Sequence, residues 1–166
     1  MQIVSDVAGN GARLRLGVLD TVEAAHAIAA WQYREWGQYE AGVTVANTRE
    51  WAEGCINSRR IPSAFVCYVD EALTGTSSVI QSDLPGFEHL HPWLANVYVE
   101  PQYRNMGIGA RLIEYAAKFT ARLGTRELFL YTFDKVPYYE RMGWRTQQGT
   151  TYIGKPITIM KRVLGT

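Results

Sequence analysis

A chain of 166 residues, 47% of them hydrophobic and 20% charged, fits one folded domain that buries roughly 70% of the surface its unfolded form exposes. A formal net charge of +1 lacks the basic excess of a nucleic-acid binder, and the pairs Arg59-Arg60 and Lys161-Arg162 read as solvated surface. Two cysteines, Cys55 and Cys67, make no disulfide framework and are expected as reduced, packed thiols. Residues 1–17 lack the apolar core of a signal peptide, and no apolar run is long enough to span a bilayer. A cytoplasmic protein without nucleic-acid or membrane partners is expected.

In chain order, residues 14–18 form a first strand. Asp20-Thr21 then caps a helix through Trp36, with Val22, Ala25, Ile28, Ala29 and Gln32 on one face, and Gly37 ends it. Asn47-Thr48 reads as the cap of a second helix that runs to about residue 57. Strands at 63–69 and 73–81 flank a turn at Asp70-Glu71, which makes an antiparallel hairpin. The segment SDLPGFEHLHP is a loop held by two prolines and a glycine, and Pro101 stops the strand at 93–99. From Ile108 a helical period runs through Leu112, Tyr115 or Ala116, Phe119 and Leu123 to Gly124. A strand at 127–133, a short helix at 137–142 and strands at 144–148 and 151–163 complete the chain. This order predicts one domain over 1–166: an α/β fold of α+β type. Its central sheet is mixed, mostly antiparallel, of six to seven strands, with helices on both faces.

The stretch RNMGIGARL joins a strand to a helix, where glycine-rich turns hold anions. A phosphate-loop NTPase needs Lys-Ser or Lys-Thr after its second glycine, and neither is present. A dinucleotide fingerprint needs a third glycine where Leu112 stands, and an acid about twenty residues on, whereas Asp134 is nearer thirty. The remaining form is Arg-x-x-Gly-x-Gly, met by Arg104, Gly107 and Gly109. Glycine permits φ > 0 and removes side chains that would block a phosphate. The N–H groups of Met106, Gly107, Ile108, Gly109 and Ala110 would then point outward at a helix N-terminus and suit a pyrophosphate. Arg104 adds a flexible cationic anchor. On the glycines alone, a purely structural tight turn fits equally well.

The wider segment resembles the GNAT superfamily of acetyl-CoA-dependent N-acetyltransferases, through Val99, Pro101, Tyr103, Arg104, Gly107, Ile108 and Gly109. A second block, Tyr139, Glu140, Arg141, Gly143 and Trp144, resembles the family's downstream motif at the usual separation. The resemblance covers residues 92–144. It implies a sheet splayed between the strands 93–99 and 127–133, with the pantetheine arm paired along the backbone of Val97, Tyr98 and Val99 like an added strand. It implies a pyrophosphate held by the turn from Arg104 and Asn105 to Ala110. The family's asparagine on the arm is replaced by Thr132, which offers a single hydroxyl.

The implied activity is transfer of acetyl from acetyl-CoA, with no metal, to a primary amine of a small molecule or peptide by direct attack in a ternary complex. The alternative is a non-catalytic acyl-CoA-binding sensor or scaffold. The resemblance gives the carbonyl oxygen to the Val97 N–H and the thiolate to Tyr139, with Tyr138 beside it pointing elsewhere. No base transfers from the family; candidates are Glu88, His89 and His91 in the loop, Asn96 orienting a water, and Glu35 on the first helix. The aromatic run from Trp31 to Tyr39, with Glu35 or Glu40, reads as core packing or as the wall of an acceptor pocket. Pairing of C-terminal strands across a homodimer is a further analogy with the family.

Overall fold

The computed structural model describes residues 4–7 and 10–165, so residues 1–3, 8 and 9 of the N-terminal reading lie outside the described residues. The layer order follows from one strand, β3 (Ser63–Val69). Successive side chains of a strand point to opposite faces. Phe65, Cys67 and Val69 enter one buried cluster, while Ala64 and Val66 enter another. The first cluster is closed by α3 (Ile108–Arg122), the second by α1 (Val22–Glu35) and α2 (Val45–Gly54). Helices therefore cover both faces, as the sequence predicts.

The remaining strands are β1 (Val4–Val7), β2 (Arg13–Val18), β4 (Ala72–Ile80), β5 (Trp93–Val99), β6 (Glu127–Thr132), β7 (Arg145–Tyr152) and β8 (Lys155–Val163). The short helix α4 (Val136–Glu140) sits between β6 and β7. The order across the sheet is β1-β2-β3-β4-β5-β6-β8-β7, with β5 and β6 parallel and every other pair antiparallel. Eight strands rather than seven are present because β1 adds to the free edge of β2, from Val4↔Leu16 to Val7↔Arg13.

Two boundaries move for local reasons. Helix α2 starts earlier than its predicted cap, because Thr44 and Asn47 form a capping box: Asn47 N–H donates to Thr44 Oγ1 at 3.1 Å and Thr44 N–H to Asn47 Oδ1 at 2.8 Å. The final hairpin turns at Ile153-Gly154, both at positive φ as a two-residue hairpin turn requires. Helix α3 buries Ile108, Leu112, Ile113, Ala116, Ala117 and Thr120, which leaves Leu123 exposed; Val22 of α1 is exposed too.

Strand β4 is central yet polar. Thr74, Thr76, Ser77 and Ser78 are fully buried, and their hydroxyls donate to the carbonyls of Cys67, Phe65, Leu112 and Ala95. No buried donor is wasted, so the run costs little. Small residues are needed here because α3 approaches closely. A Cβ on Gly75 would lie 2.9 Å from the Tyr98 carbonyl and 3.0 Å from Leu112 Cδ1. Gly75→Ala is therefore expected to destabilise the protein by about 1–3 kcal/mol, as overpacked cores do. Urea unfolding measures it, and an unchanged midpoint would show that β4 and α3 can separate freely.

Both cysteines are free and buried, as expected, and burial pushes the Cys55 thiol up to about 11. Lys161 and Arg162 are surface ion-pair partners of Glu127 and Glu114 at 3.0 and 2.8 Å.

Candidate active site

Strand β5 is pinned at its start and freed at its end. It pairs with β6 only at Trp93↔Phe129, where the Phe129 N–H donates to the Pro92 carbonyl at 3.0 Å. Against β4 the register steps from Ser78↔Ala95 to Thr76↔Tyr98, so Asn96 and Val97 together face Ser77. Two residues opposite one is a β-bulge, which bends its strand. Asn96 absorbs it at φ 54°, and its Nδ2 donates to Ser78 Oγ at 2.8 Å. The strands diverge beyond this point, which is the predicted splay.

The divergence opens a groove of about 770 Å³. Val97, Tyr98, Val99, Arg104, Asn105, Gly107, Ile108, Gly109, Ala110, Tyr139 and Glu35 all line it, a convergence of most residues singled out in the sequence. Met106 does not: its side chain packs on the α3 cluster. Thr132 does not either; it is buried, and its hydroxyl accepts the Lys135 N–H at 3.0 Å, tying β6 to α4. The sequence reading missed Lys135, although Arg141, which also lines the groove, lies inside a motif it used.

At the head of the groove Gly107 caps α3 at φ 77°, and the first bond within the helix is Arg111 N–H to Gly107 carbonyl. The N–H groups of Ile108, Gly109 and Ala110 thus have no acceptor inside the helix. Arg104 is no free anchor: its Nε donates to the Val99 carbonyl at 2.9 Å, which fixes it beside the groove. With Lys135 and Arg141 it sets three cations against the acids Glu35 and Asp134.

The two tyrosines of α4 both face the groove, so the expectation that Tyr138 points elsewhere is overturned. A Cβ on Gly109 would lie 3.1 Å from the Tyr138 hydroxyl. Tyr139 is wedged edge-on between Tyr138 and Trp144, at 5.2 and 6.1 Å between ring centroids. Burial, and then Tyr138, push its phenol up to about 12, so it keeps its proton at neutral pH.

A second, smaller pocket of about 250 Å³ adjoins the first. Gln32 and Trp36 at the end of α1, Glu40 and Val43 in the connecting segment, and Asn47 and Trp51 of α2 wall it, together with Ile80 and Asn96. Trp36 lines both spaces. Consecutive residues therefore open in two directions: Asn96 into the pocket and Val97 into the groove.

Beside the pocket lies a carboxyl the sequence reading overlooked. Burial, and then the Glu40 carboxylate, push half-buried Asp83 up to about 7. Tyr131 and Tyr152 are raised by burial and by the same two acids. The sign of the linkage is unusual for a carboxylate. The folded state holds a proton between about pH 4 and 7 that the unfolded chain releases, so this stability is complete at low pH and lost as pH rises through 7. Asp83→Asn is expected to stabilise the protein by about 2 kcal/mol more at pH 8 than at pH 5, allowing for partial exposure. Urea unfolding at both values checks this; an equal effect at both would mean that Asp83 titrates normally.

The loop candidates for a base lie apart from both spaces. Leu84 and Leu90 bury against Trp93, whose indole donates to the Leu90 carbonyl at 2.6 Å. That docking turns Glu88, His89 and His91 out to solvent. Backbone N–H groups, Gly86 first, hold the Glu88 carboxyl below its usual range, and His89 stacks on Phe87.

A model of the acetyltransferase (GNAT) family matches residues 23–144, 122 of the 166. The chain belongs to the GNAT family of acetyltransferases. Its fold is shared by an N-acetyltransferase from Staphylococcus aureus Mu50, at TM-score 0.72 and 15% identity over 92% of this chain and 99% of that one. An aminoglycoside 6'-N-acetyltransferase complexed with coenzyme A superposes at 0.70 and 18% identity, covering 91% and 97%. The yncA structure from Salmonella typhimurium, with its cofactor acetyl-CoA, superposes at 0.70 and 16% identity, covering 92% and 95%. No curated protein sequence matches the chain. No helix among the described residues of this GNAT domain is long and apolar enough to cross a membrane. Among the same residues no group of three or more His, Cys, Asp or Glu could hold a metal ion.

Proposed function

We propose that the protein transfers the acetyl group of acetyl-CoA to a primary amine of a small molecule or peptide, by direct attack in a ternary complex. The observation that carries this is the split at the bulge, where Val97 and Asn96 open into adjoining spaces that share Trp36. A module that only bound coenzyme would need the groove alone.

The groove residues fit the coenzyme. The N–H groups of Ile108, Gly109 and Ala110, which have no acceptor inside the helix and lie at the positive end of α3, suit the pyrophosphate. Arg104, Lys135 and Arg141 supply countercharge. The open edge of β5 at Val97 offers backbone groups to the pantetheine arm, although Arg104 already shares the Val99 carbonyl. The coenzyme supplies an activated acyl group, and the chain's residues do the rest.

The Val97 N–H, fixed by the bulge, donates to the carbonyl oxygen as charge builds there; a preset dipole needs no reorganisation. Tyr139 donates to the departing sulfur. With its phenol near 12 and an ordinary thiol near 8.5, complete proton transfer is uphill by roughly 5 kcal/mol. Its contribution is thus a hydrogen bond, until desolvation of the sulfur narrows that gap. The amine proton passes to Glu40, the carboxylate in the wall of the smaller pocket.

Calorimetric titration with acetyl-CoA, NAD and ATP tests the donor assignment, and tight binding of acetyl-CoA alone is expected. Preference for either nucleotide would sink it. Thiol release across a panel of amines then tests transfer.

A further inference from the structure

The smaller pocket contains a polar group that the fold leaves without a partner. Gln32 is only 6% exposed, lines the pocket, and its Nε2 has no hydrogen-bond partner among the described residues. It lies on the buried face of α1 beside Ile28 and Ala29, where an apolar side chain would pack as well. A buried amide donor left unpaired costs about as much as a lost hydrogen bond, so an oxygen supplied from outside is strongly favoured there.

The charge around the pocket is one-sided. Glu40 is in its wall, Asp83 stands close enough to feel that carboxylate, and no lysine or arginine is among the lining residues. An ammonium is welcome in such a site, where the indoles of Trp36 and Trp51 are also in the wall. A carboxylate would meet Glu40 with no cation to offset it. At about 250 Å³ the space falls below the usual range for drug-sized ligands.

We propose that this pocket selects a compact primary amine bearing an uncharged oxygen acceptor and no carboxylate, with the oxygen held by the Gln32 amide and the amine directed to the Asn96–Val97 bulge. The inference rests on the acetyl-transfer reading above. It assigns Gln32 a specificity role that is separate from the chemistry.

Three primary amines that share an isobutyl group on the amine-bearing carbon test it: isoamylamine, with no oxygen; leucinol, with a neutral hydroxyl; and leucine, with a carboxylate. Leucinol and leucine have amines of similar basicity, so a difference between them reports the pocket. By kcat/KM from thiol release, leucinol is expected to exceed isoamylamine by about 10-fold, the worth of one hydrogen bond. It is expected to exceed leucine by about 100-fold, the effect of an unpaired like charge. In Gln32→Leu the preference for leucinol over isoamylamine is expected to vanish, while discrimination against leucine survives. Equal use of leucine and leucinol overturns the proposal, as does a hydroxyl preference that persists in Gln32→Leu. Should no amine be acetylated, the transfer reading fails, and the pocket is judged by binding. Leucinol titrated into the coenzyme A-saturated protein is expected to shift the Gln32 side-chain amide resonances while leucine does not; silence with both overturns the pocket as well.

Discussion

Gly109→Glu is expected to abolish coenzyme binding while leaving the protein at least as stable as before. The two effects separate because of where the residue sits. Position 109 is in the first turn of α3, two residues past the cap at Gly107. There a carboxylate is favourable to the helix, and any residue with a Cβ restrains the chain better than glycine, by up to about 1 kcal/mol. The only close contact of a new Cβ is the Tyr138 hydroxyl at 3.1 Å, the far end of a side chain that can swing away. For the coenzyme the same change is severe. It fills the space against the helix N-terminus and places a negative charge next to the pyrophosphate. At about 4 Å and an effective dielectric near 20 that repulsion is about 4 kcal/mol, so affinity falls by at least 100-fold. Calorimetry with acetyl-CoA, paired with urea unfolding, reads both quantities. Parental affinity in a folded variant would place the pyrophosphate elsewhere.

Tyr139→Phe is expected to lower kcat by about 10- to 100-fold with coenzyme affinity within threefold of the parent. The ring is what packs against Tyr138 and Trp144, and phenylalanine keeps it. Only the hydroxyl is lost, and the proposed role of that hydroxyl grows as the sulfur departs. An interaction made mainly in the transition state affects turnover and not binding. Because the phenol is pushed up to about 12, the donor stays protonated across the working range. An alkaline decline in kcat between pH 7 and 9 is therefore not expected from this residue. Unchanged turnover in the variant removes Tyr139 from the chemistry.

The groove was legible in the sequence because its parts are local. A strand, a turn at Asn105 and Gly107, and a helix start at Ile108 lie within twenty residues, and each has a signature in the chain. The hairpin at Asp70-Glu71 and the α3 stripe were legible for the same reason. The smaller pocket was not. Glu40, Asp83 and Tyr131 lie far apart in sequence, and only the packing of the connecting segment against the sheet brings their charges together. Gln32 shows the limit most clearly: its spacing placed it correctly on the buried face, but periodicity says nothing of whether a buried amide finds a partner. Thr44 and Asn47-Thr48 are equally good cap patterns in the chain, and only the reciprocal hydrogen bonds decide between them.

The bulge at Asn96 divides labour between two stretches of chain. Everything proposed to touch the coenzyme, apart from Glu35 and Trp36, comes from residue 97 onward, while the wall of the smaller pocket comes from residue 96 and earlier. The two halves of the reaction can therefore diverge separately. Drift in α1, α2 and the segment between them would retarget the enzyme to a new acceptor without disturbing its donor. A chimera carrying another acceptor-side half would be expected to inherit that half's amine and keep this one's coenzyme.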